Sequence, residues 1–489
     1  MIIQNGSPQI SLDELTLFPF DDHSIPFQHG VELCLASRED RRNRTATSRT
    51  TIVVGLGEEE APDSNNVVYY GSVHKVGDEL WMWYLGQGSD EEWFQRVCLA
   101  RSKDGYNWEK PHLGLVEYRG SRDNNLVDLS QGQIPIVACV VFHDPDDPDP
   151  SRRFKMAFES KKKYTALVAV AYSADGLVWR ESPNNPVGSS FEMSGGTIFN
   201  GCYYLTGHDG SFPGPRRQFV TYVSYDFEHW SEAPCLGLPR GDRRFQDWGR
   251  NSGEQVHMGA GLWNRGNVII GFYGQWHGHP SNDRELLTMD LGLAVSNDGL
   301  HYREPIPDYP IVSAAEDGVY DPPRGNAWVK FPALMQGQGF ENVGDETLFW
   351  YAPWPEVRSD GVRVASWHRD RLGYFQAFLK GESRPDRGYH CVSAPVDLEG
   401  RAARVLVNVD GISEYSHVSV EVLDEQFNPL VGYTKDVFIG PRASGLRQPV
   451  QWRDRDLIEP VDGRVRIRAS IEGIRPEDVR LYAIYLETA

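Results

Sequence analysis

The chain has 489 residues, with 49 Lys+Arg against 69 Asp+Glu and a formal net charge of −20. That length exceeds one ordinary hydrophobic core, so two domains are expected, and the acidic balance argues against a polyanion as the main partner. The opening Met1-Ile2-Ile3-Gln4-Asn5-Gly6 lacks a basic region followed by an apolar core, and no run approaches the roughly 18 apolar residues of a membrane span. Six cysteines, at 34, 98, 139, 202, 235 and 391, show no zinc or redox spacing. Together these features predict a cytoplasmic protein with reduced thiols, no cofactor or metal, and neither nucleic acid nor membrane as partner.

The first sixty residues carry little pattern beyond a basic stretch from Arg38 to Arg49, which reads as a solvated loop. Beyond them one short sequence recurs. Ala100-Arg101-Ser102-Lys103-Asp104-Gly105-Tyr106-Asn107-Trp108 returns as Ala171-Tyr172-Ser173-Ala174-Asp175-Gly176-Leu177-Val178-Trp179 and as Tyr222-Val223-Ser224-Tyr225-Asp226-Phe227-Glu228-His229-Trp230. A fourth copy is Ala294-Val295-Ser296-Asn297-Asp298-Gly299-Leu300-His301-Tyr302, and a degraded fifth is Ala365-Ser366-Trp367-His368-Arg369. The period, roughly 50 to 70 residues, is the scale of a propeller blade. Asp-Gly tolerates the positive φ of a tight reversal, so each copy marks the turn between a blade's third and outermost strands.

Two strand-like runs precede each copy. They are 67–75 and 79–84, 136–142 and 153–158, 193–199 and 203–206, 255–263 and 268–273, and 330–335 and 347–351, the last pair spanning a longer loop. Five units of about four strands predict a five-bladed β-propeller over 61–382, with residues 1–60 packing on it. The tail, 383–489, alternates apolar and polar residues without the repeat and reads as a β-sandwich. The expected fold is therefore all-β, a five-bladed β-propeller followed by a C-terminal β-sandwich.

Innermost strands of a propeller line its channel, so polar residues near their starts are the candidates for chemistry. Unit three offers Glu192, opening an apolar strand beside the small Ser194, Gly195 and Gly196. Unit four offers Glu254 at the matching position, with His257 further in and His277 after the next strand, while Trp276 is the candidate sugar-stacking platform. Unit one contributes Asp63, Asn66, Tyr70 and His74, and unit five Arg324 and Glu341. Unit two offers only Asp144, in what reads as a solvated Asp/Pro turn. Each has a structural alternative: backbone capping for Glu192, a bond to a neighbouring blade for His257, an interblade ion pair for Arg324 or Glu341.

Two glutamates on adjacent inner strands suit glycoside hydrolysis, one protonating the leaving oxygen and the other acting as base or nucleophile. Glu192 and Glu254 are the expected pair, with Asp63 as an assisting carboxylate and an oligosaccharide as substrate. A lyase, isomerase or transglycosylase using His74, His257, His277 or His279 for proton transfer or metal binding is a second reading. A non-catalytic carbohydrate-binding protein is a third. The tail could pack on the propeller or pair subunits into a homo-oligomer.

The stretch Ser102-Lys103-Asp104-Gly105-Tyr106-Asn107-Trp108-Glu109-Lys110-Pro111-His112-Leu113-Gly114-Leu115, with Asp123-Asn124-Asn125-Leu126-Val127, resembles bacterial proteins similar to the glycoside hydrolase family 32 N-terminal domain, within the wider group of families 32, 43 and 68. The resemblance implies a sugar-active propeller enzyme acting on furanosides such as fructosides or arabinosides. It also implies that Glu192 stands near the position of that family's acid, which lies in a Glu-Cys motif, although Met193 follows here. Ser64-Asn65-Asn66-Val67 stands in place of the family's Asp-Pro-Asn-Gly motif, and the Arg-Asp-Pro motif has only a displaced His143-Asp144-Pro145.

Overall fold

The computed structural model describes the whole chain except residues 9, 37, 39–51, 90–93, 165–166, 190–191, 210–211, 242–248, 317–332, 355–358 and 380–387. It is all-β: strands joined by turns and a few three-residue 3-10 segments, none of the described helices being long and apolar enough to cross a membrane. The repeat units fold as antiparallel meanders whose first strands are Asn66–Val76, Ile136–His143, Glu192–Phe199, Gly253–Asn264 and Leu334–Val343. Each of these first strands contacts the next, and the fifth contacts the first, so that they form a closed ring.

The repeated turn works as expected from its residues. Ser102 Oγ accepts from Gly105 N at 2.8 Å, and Asp104 Oδ1 accepts from Tyr106 N and Asn107 N at 2.9 and 2.8 Å. The same bonds recur around Ser173/Asp175, Ser224/Asp226 and Ser296/Asp298. The turn also latches one unit to another. Trp83 Nε1 of unit one donates to Gly176 O of unit two at 2.9 Å, and Trp350 Nε1 of unit five donates to Gly105 O of unit one at 3.0 Å. Gly176 has φ +73°, and a Cβ there would lie 2.9 Å from the Trp83 ring, so the glycine serves both the reversal and the close approach.

The degraded fifth copy has a topological cause. After Gly361–His368 the chain does not turn back into an outer strand; it leaves for Gly373–Ala377 in another sheet. The outer strand of unit five comes from the N-terminal region instead, Ile52–Gly55 pairing antiparallel with Gly361–His368. The Asp-Gly reversal is therefore not required there.

In the N-terminal region Phe18, Phe20 and Leu35 share an apolar cluster with Val268, Ile270 and Phe272. Strands of this region also pair with the tail, which the sequence did not reveal. Ile2–Ile3 and Phe27–His29 join the sheet containing Arg464–Gly473, while Glu14–Leu17 and Val31–Leu35 join the sheet containing Arg480–Thr488. One apolar cluster draws from both sheets, including Val405, Val407, Ile467 and Leu486. Asp370 fastens this part to the ring: buried, it accepts from Arg265, from Asn342 Nδ2 at 3.2 Å and from Tyr485 OH at 2.9 Å.

The fifth first strand lies later than expected. Residues 336–342, read as a loop, are strand. All five first strands carry a register irregularity, which leaves backbone groups without ladder partners. Two buried glutamines bond such groups on the first strands of units three and four, both of which are sheet edges. Gln338 Oε1 accepts from Gly196 N at 3.0 Å and Leu262 N at 2.8 Å, while its Nε2 donates to Leu262 O. Gln336 Nε2 donates to Gly259 O at 2.8 Å, to His257 O and to Ser194 Oγ. Gly337 is small because a Cβ would meet the Tyr69 ring at 2.4 Å. The Gln338→Leu variant should lose about 3 kcal/mol or more, since each stranded buried group costs roughly 1–3 kcal/mol; a urea midpoint equal to wild type would contradict this role.

Candidate functional site

A first strand begins at the end of the ring where the antiparallel second strand finishes, so the two termini share one rim. Glu192 is register partner of His208, and Glu254 of His277. Glu159, one residue from the end of Phe154–Ser160, belongs to the same class of position.

Glu192 is the centre of the site. Its Oε2 lies 3.5 Å from His208 Nδ1 and 3.5 Å from Arg217 Nη1. Burial pushes its carboxyl up, but His208, Arg217 and Arg284 together outweigh that and hold it below the usual glutamate range. Glu159 moves the other way. Burial first, then the negative charge of Glu192, push it up to about 7, with Lys161 pulling back, and its Oε2 is buried without a hydrogen-bond partner among the described residues. Two carboxyls whose environments drive their proton affinities apart are the arrangement that separates an acid from a base.

The surrounding groups are neutral rings and guanidiniums. His257, only 1 % exposed, has Nε2 3.4 Å from Tyr70 OH and packs on Trp354 with centroids 4.7 Å apart. Burial, then Arg217, His208 and Arg284, hold it neutral, well below the usual histidine value. His208 is pushed down to about 3 by burial and by Arg217, against Glu192. Arg284 falls to about 10 through burial, Arg217 and Arg250. Tyr70 is raised by burial and then by Glu192, so its hydroxyl stays protonated.

Of the residues expected from sequence, Glu192, His257 and Tyr70 meet here. Trp276 is present but is no exposed sugar platform: it is 0 % exposed, with Nε1 donating to Asn251 O at 3.0 Å and its ring lying 4.9 Å from the Arg217 guanidinium. Glu254 is held otherwise. Its Oε2 sits 2.7 Å from Arg240 Nη2 and 2.8 Å from His277 Nδ1, and His277 Nε2 continues to Asp290 at 3.3 Å. Burial opposes charge on His277, yet Asp290 and Glu254 raise it to about 9. Glu254 is thus saturated by two cations, an ion-pair chain rather than an idle base.

Asp63 lies elsewhere, 1 % exposed, accepting from Tyr84 OH and paired with Lys110 Nζ, both at 2.6 Å, on a cavity of about 510 Å³ lined also by Val54, Trp108 and Asn125. Asn66 Oδ1 accepts from Ser359 N at 2.6 Å and supports a loop. His74 and Glu341 line a smaller cavity together with Ile198 and Asn264, where the first strands of units three and four end, so they face the opposite mouth. His74 contacts Val141 O at 2.6 Å and is driven down to about 4 by burial. Arg324 lies outside the described residues. The described residues contain no group of three or more His, Cys, Asp or Glu placed to hold a metal.

Sequence reasoning passed over Glu159, His208, Arg217 and Arg284, and Trp354 reads from sequence as a packing aromatic. The available signal was a polar residue closing an apolar second strand, as in Phe154–Ser160 and Cys202–Asp209, a position that yielded candidates only in unit four, with Trp276 and His277.

No family model matches the chain, and no curated protein matches it. Solved structures do. A glycosyl hydrolase from Bacteroides ovatus aligns with 13 % identity over 69 % of this chain and 96 % of its own, TM-score 0.46. A thermostable family-43 glycoside hydrolase aligns with 16 % identity over 68 % and 97 %, TM-score 0.40. At such values substrate and mechanism rest on the residues of this chain.

His277 yields a test of the ion-pair chain. Its folded value lies above the unfolded 6.5, so its stabilisation is fully present below pH 6.5 and is lost as pH rises through about 9. The difference in urea midpoint between wild type and His277→Gln should be greatest below pH 6.5 and shrink above pH 9; a difference independent of pH would contradict the assignment.

Proposed function

We propose that the protein is a glycoside hydrolase, built as a five-bladed β-propeller with an accompanying β-sandwich, in which Glu159 is the general acid and Glu192 the ionised base or nucleophile. The observation that carries this reading is the opposite displacement of the two carboxyls on neighbouring units: one pushed up to about 7, the other held below its ordinary value. At neutral pH the first can give a proton to a glycosidic oxygen while the second stays charged. His257, His208 and Tyr70, kept neutral, suit hydrogen bonding to sugar hydroxyls. The closed ring of first strands and the interunit latches support the propeller.

Furanosides such as fructosides or arabinofuranosides are the proposed substrates, on the likeness carried by residues 102–115 and 123–127. Six cysteines, all unpaired, favour a reducing compartment and a cytoplasmic setting.

An NMR time course with fructosides, arabinofuranosides and other oligosaccharides tests the assignment. Glu159→Gln should cut turnover of natural substrates by about 10²–10⁴ and spare aryl glycosides, whose leaving group needs no proton; Glu192→Gln should abolish both. Activity should require Glu159 protonated and Glu192 ionised, so it should fall as pH rises through about 7 and again at pH below the ordinary glutamate range. Unchanged rates in both variants would overturn the reading.

A further inference from the structure

Units three and four bring a thiol, an imidazole and a carboxylate together on their outer strands and turns, apart from the first strands that carry Glu192. Cys235 opens Cys235–Leu238, the outer strand of unit three, while Asp298 and His301 belong to the repeated turn of unit four. Cys235 Sγ lies 3.6 Å from His301 Nε2, and His301 Nδ1 lies 2.7 Å from Asp298 Oδ2. Asp298 is fixed in its turn, with Oδ1 accepting from Leu300 N and His301 N, both at 2.8 Å. With Nδ1–H given to Asp298, the lone pair of the ring is left on Nε2, the atom that faces the thiol.

Comparisons within the molecule isolate this arrangement. Unit three repeats the carboxylate and imidazole, His229 Nδ1 lying 2.7 Å from Asp226 Oδ2, but among the described residues no cysteine bonds to that ring. Of the six cysteines, Cys98, Cys139, Cys202 and Cys391 are buried, and the half-buried Cys34 bonds to Tyr374 instead of a histidine. A further polar group borders the cluster. Tyr302 is 4 % exposed, and its hydroxyl is buried without a hydrogen bond among the described residues; after burial, the charges that raise it are those of Asp298, Tyr204 and Cys235. The cluster is still reachable, since Cys235 is half-buried and the His301 side chain exposed.

We infer that Cys235 and His301 are the two protein ligands of a site for a thiophilic divalent cation such as Zn²⁺, with Asp298 orienting the imidazole and water completing the shell. Bonds of about 2.3 Å to sulfur and about 2.0 to 2.1 Å to nitrogen, at a tetrahedral angle, separate the two donor atoms by about 3.5 Å, so the ion enters with little movement of either side chain. Coordination forms the metal–sulfur bond and expels the thiol proton to solvent. Burial and Asp298 raise the thiol, yet the same Asp298 charge that opposes a bare thiolate favours a cation beside it. Two protein ligands accord with the lack, among the described residues, of any larger metal-binding group, and the sulfur and nitrogen donors exclude Mg²⁺ and Ca²⁺, which take oxygen. Because the ligands come from different units, the bound ion clips unit three to unit four.

The probes are Cd²⁺, which gives an ultraviolet charge-transfer band when a thiolate binds it, and Zn²⁺, titrated into the full chain under a reductant that binds no metal. A saturable band is expected, displaced by Zn²⁺ and indifferent to excess Mg²⁺, and Zn²⁺ should raise the melting temperature of wild type. Cys235→Ser should remove the band and the thermal shift. His301→Gln should weaken binding at least tenfold and Asp298→Asn about tenfold; since Asp298 also holds its turn, the exposed His301 is the deciding variant. Cys34→Ser and His229→Gln should leave affinity unchanged. No saturable band, a band that survives Cys235→Ser or disappears with Cys34→Ser, or affinity indifferent to His301→Gln would each overturn the site. None of these readings depends on glycoside turnover.

Discussion

The ring closes around two glutamines. Every first strand carries a register irregularity, and those of units three and four are also sheet edges, so backbone N–H and C=O groups are left without ladder partners. Gln338 answers Gly196 and Leu262, and Gln336 answers His257 and Gly259, so unit five bonds directly to the strands of units three and four. An apolar residue of equal size would pack there but would leave those buried groups unpaired. The alternating Gln-Gly-Gln-Gly of residues 336–339 thus joins polar reach at every second position with room for Tyr69 at the others.

From that anchor the chemistry of the rim follows. Gln336 fixes the carbonyl of His257, which sets the imidazole against Tyr70 and Trp354. Burial keeps both histidines uncharged at neutral pH, so the permanent cations acting on Glu192 there are Arg217 and Arg284, with His208 adding its charge only when protonated. Their field lowers Glu192, and the resulting anion raises Glu159. The proton on Glu159 is in this sense a consequence of the charge on Glu192: neutralising Glu192 removes one of the two causes that keep its neighbour protonated.

Repeats were legible because a turn needs particular residues at fixed offsets, and Ser-x-Asp-Gly states them directly. Glu192, Tyr70 and His257 were legible because they interrupt apolar strands. Position along a strand does not reveal what a side chain meets across the ring, however, and there the reading failed. Glu254 resembles Glu192 in sequence but meets Arg240 and His277. Asp63 precedes a first strand but turns toward Lys110. Trp276 sits between Gln and His, yet its ring is covered. The Gln336–Asn342 stretch looked like a loop because glycine-rich composition weakens any strand signal, although here the glycines answer a close approach.

Glu254 and Gln255 show how neighbouring residues divide the work. Successive side chains on a strand point to opposite faces. Glu254 turns to Arg240 and the charged His277, pinning the start of Gly253–Asn264 to the second strand of its own unit. Gln255, fully buried on the other side, holds Arg217 N and Arg250 O. A strand start left loose would let Gln255 shift, and with it the arginines that hold Glu192 ionised. The second glutamate therefore bears on the chemistry through position rather than proton transfer: it keeps in place the residue that places the cations.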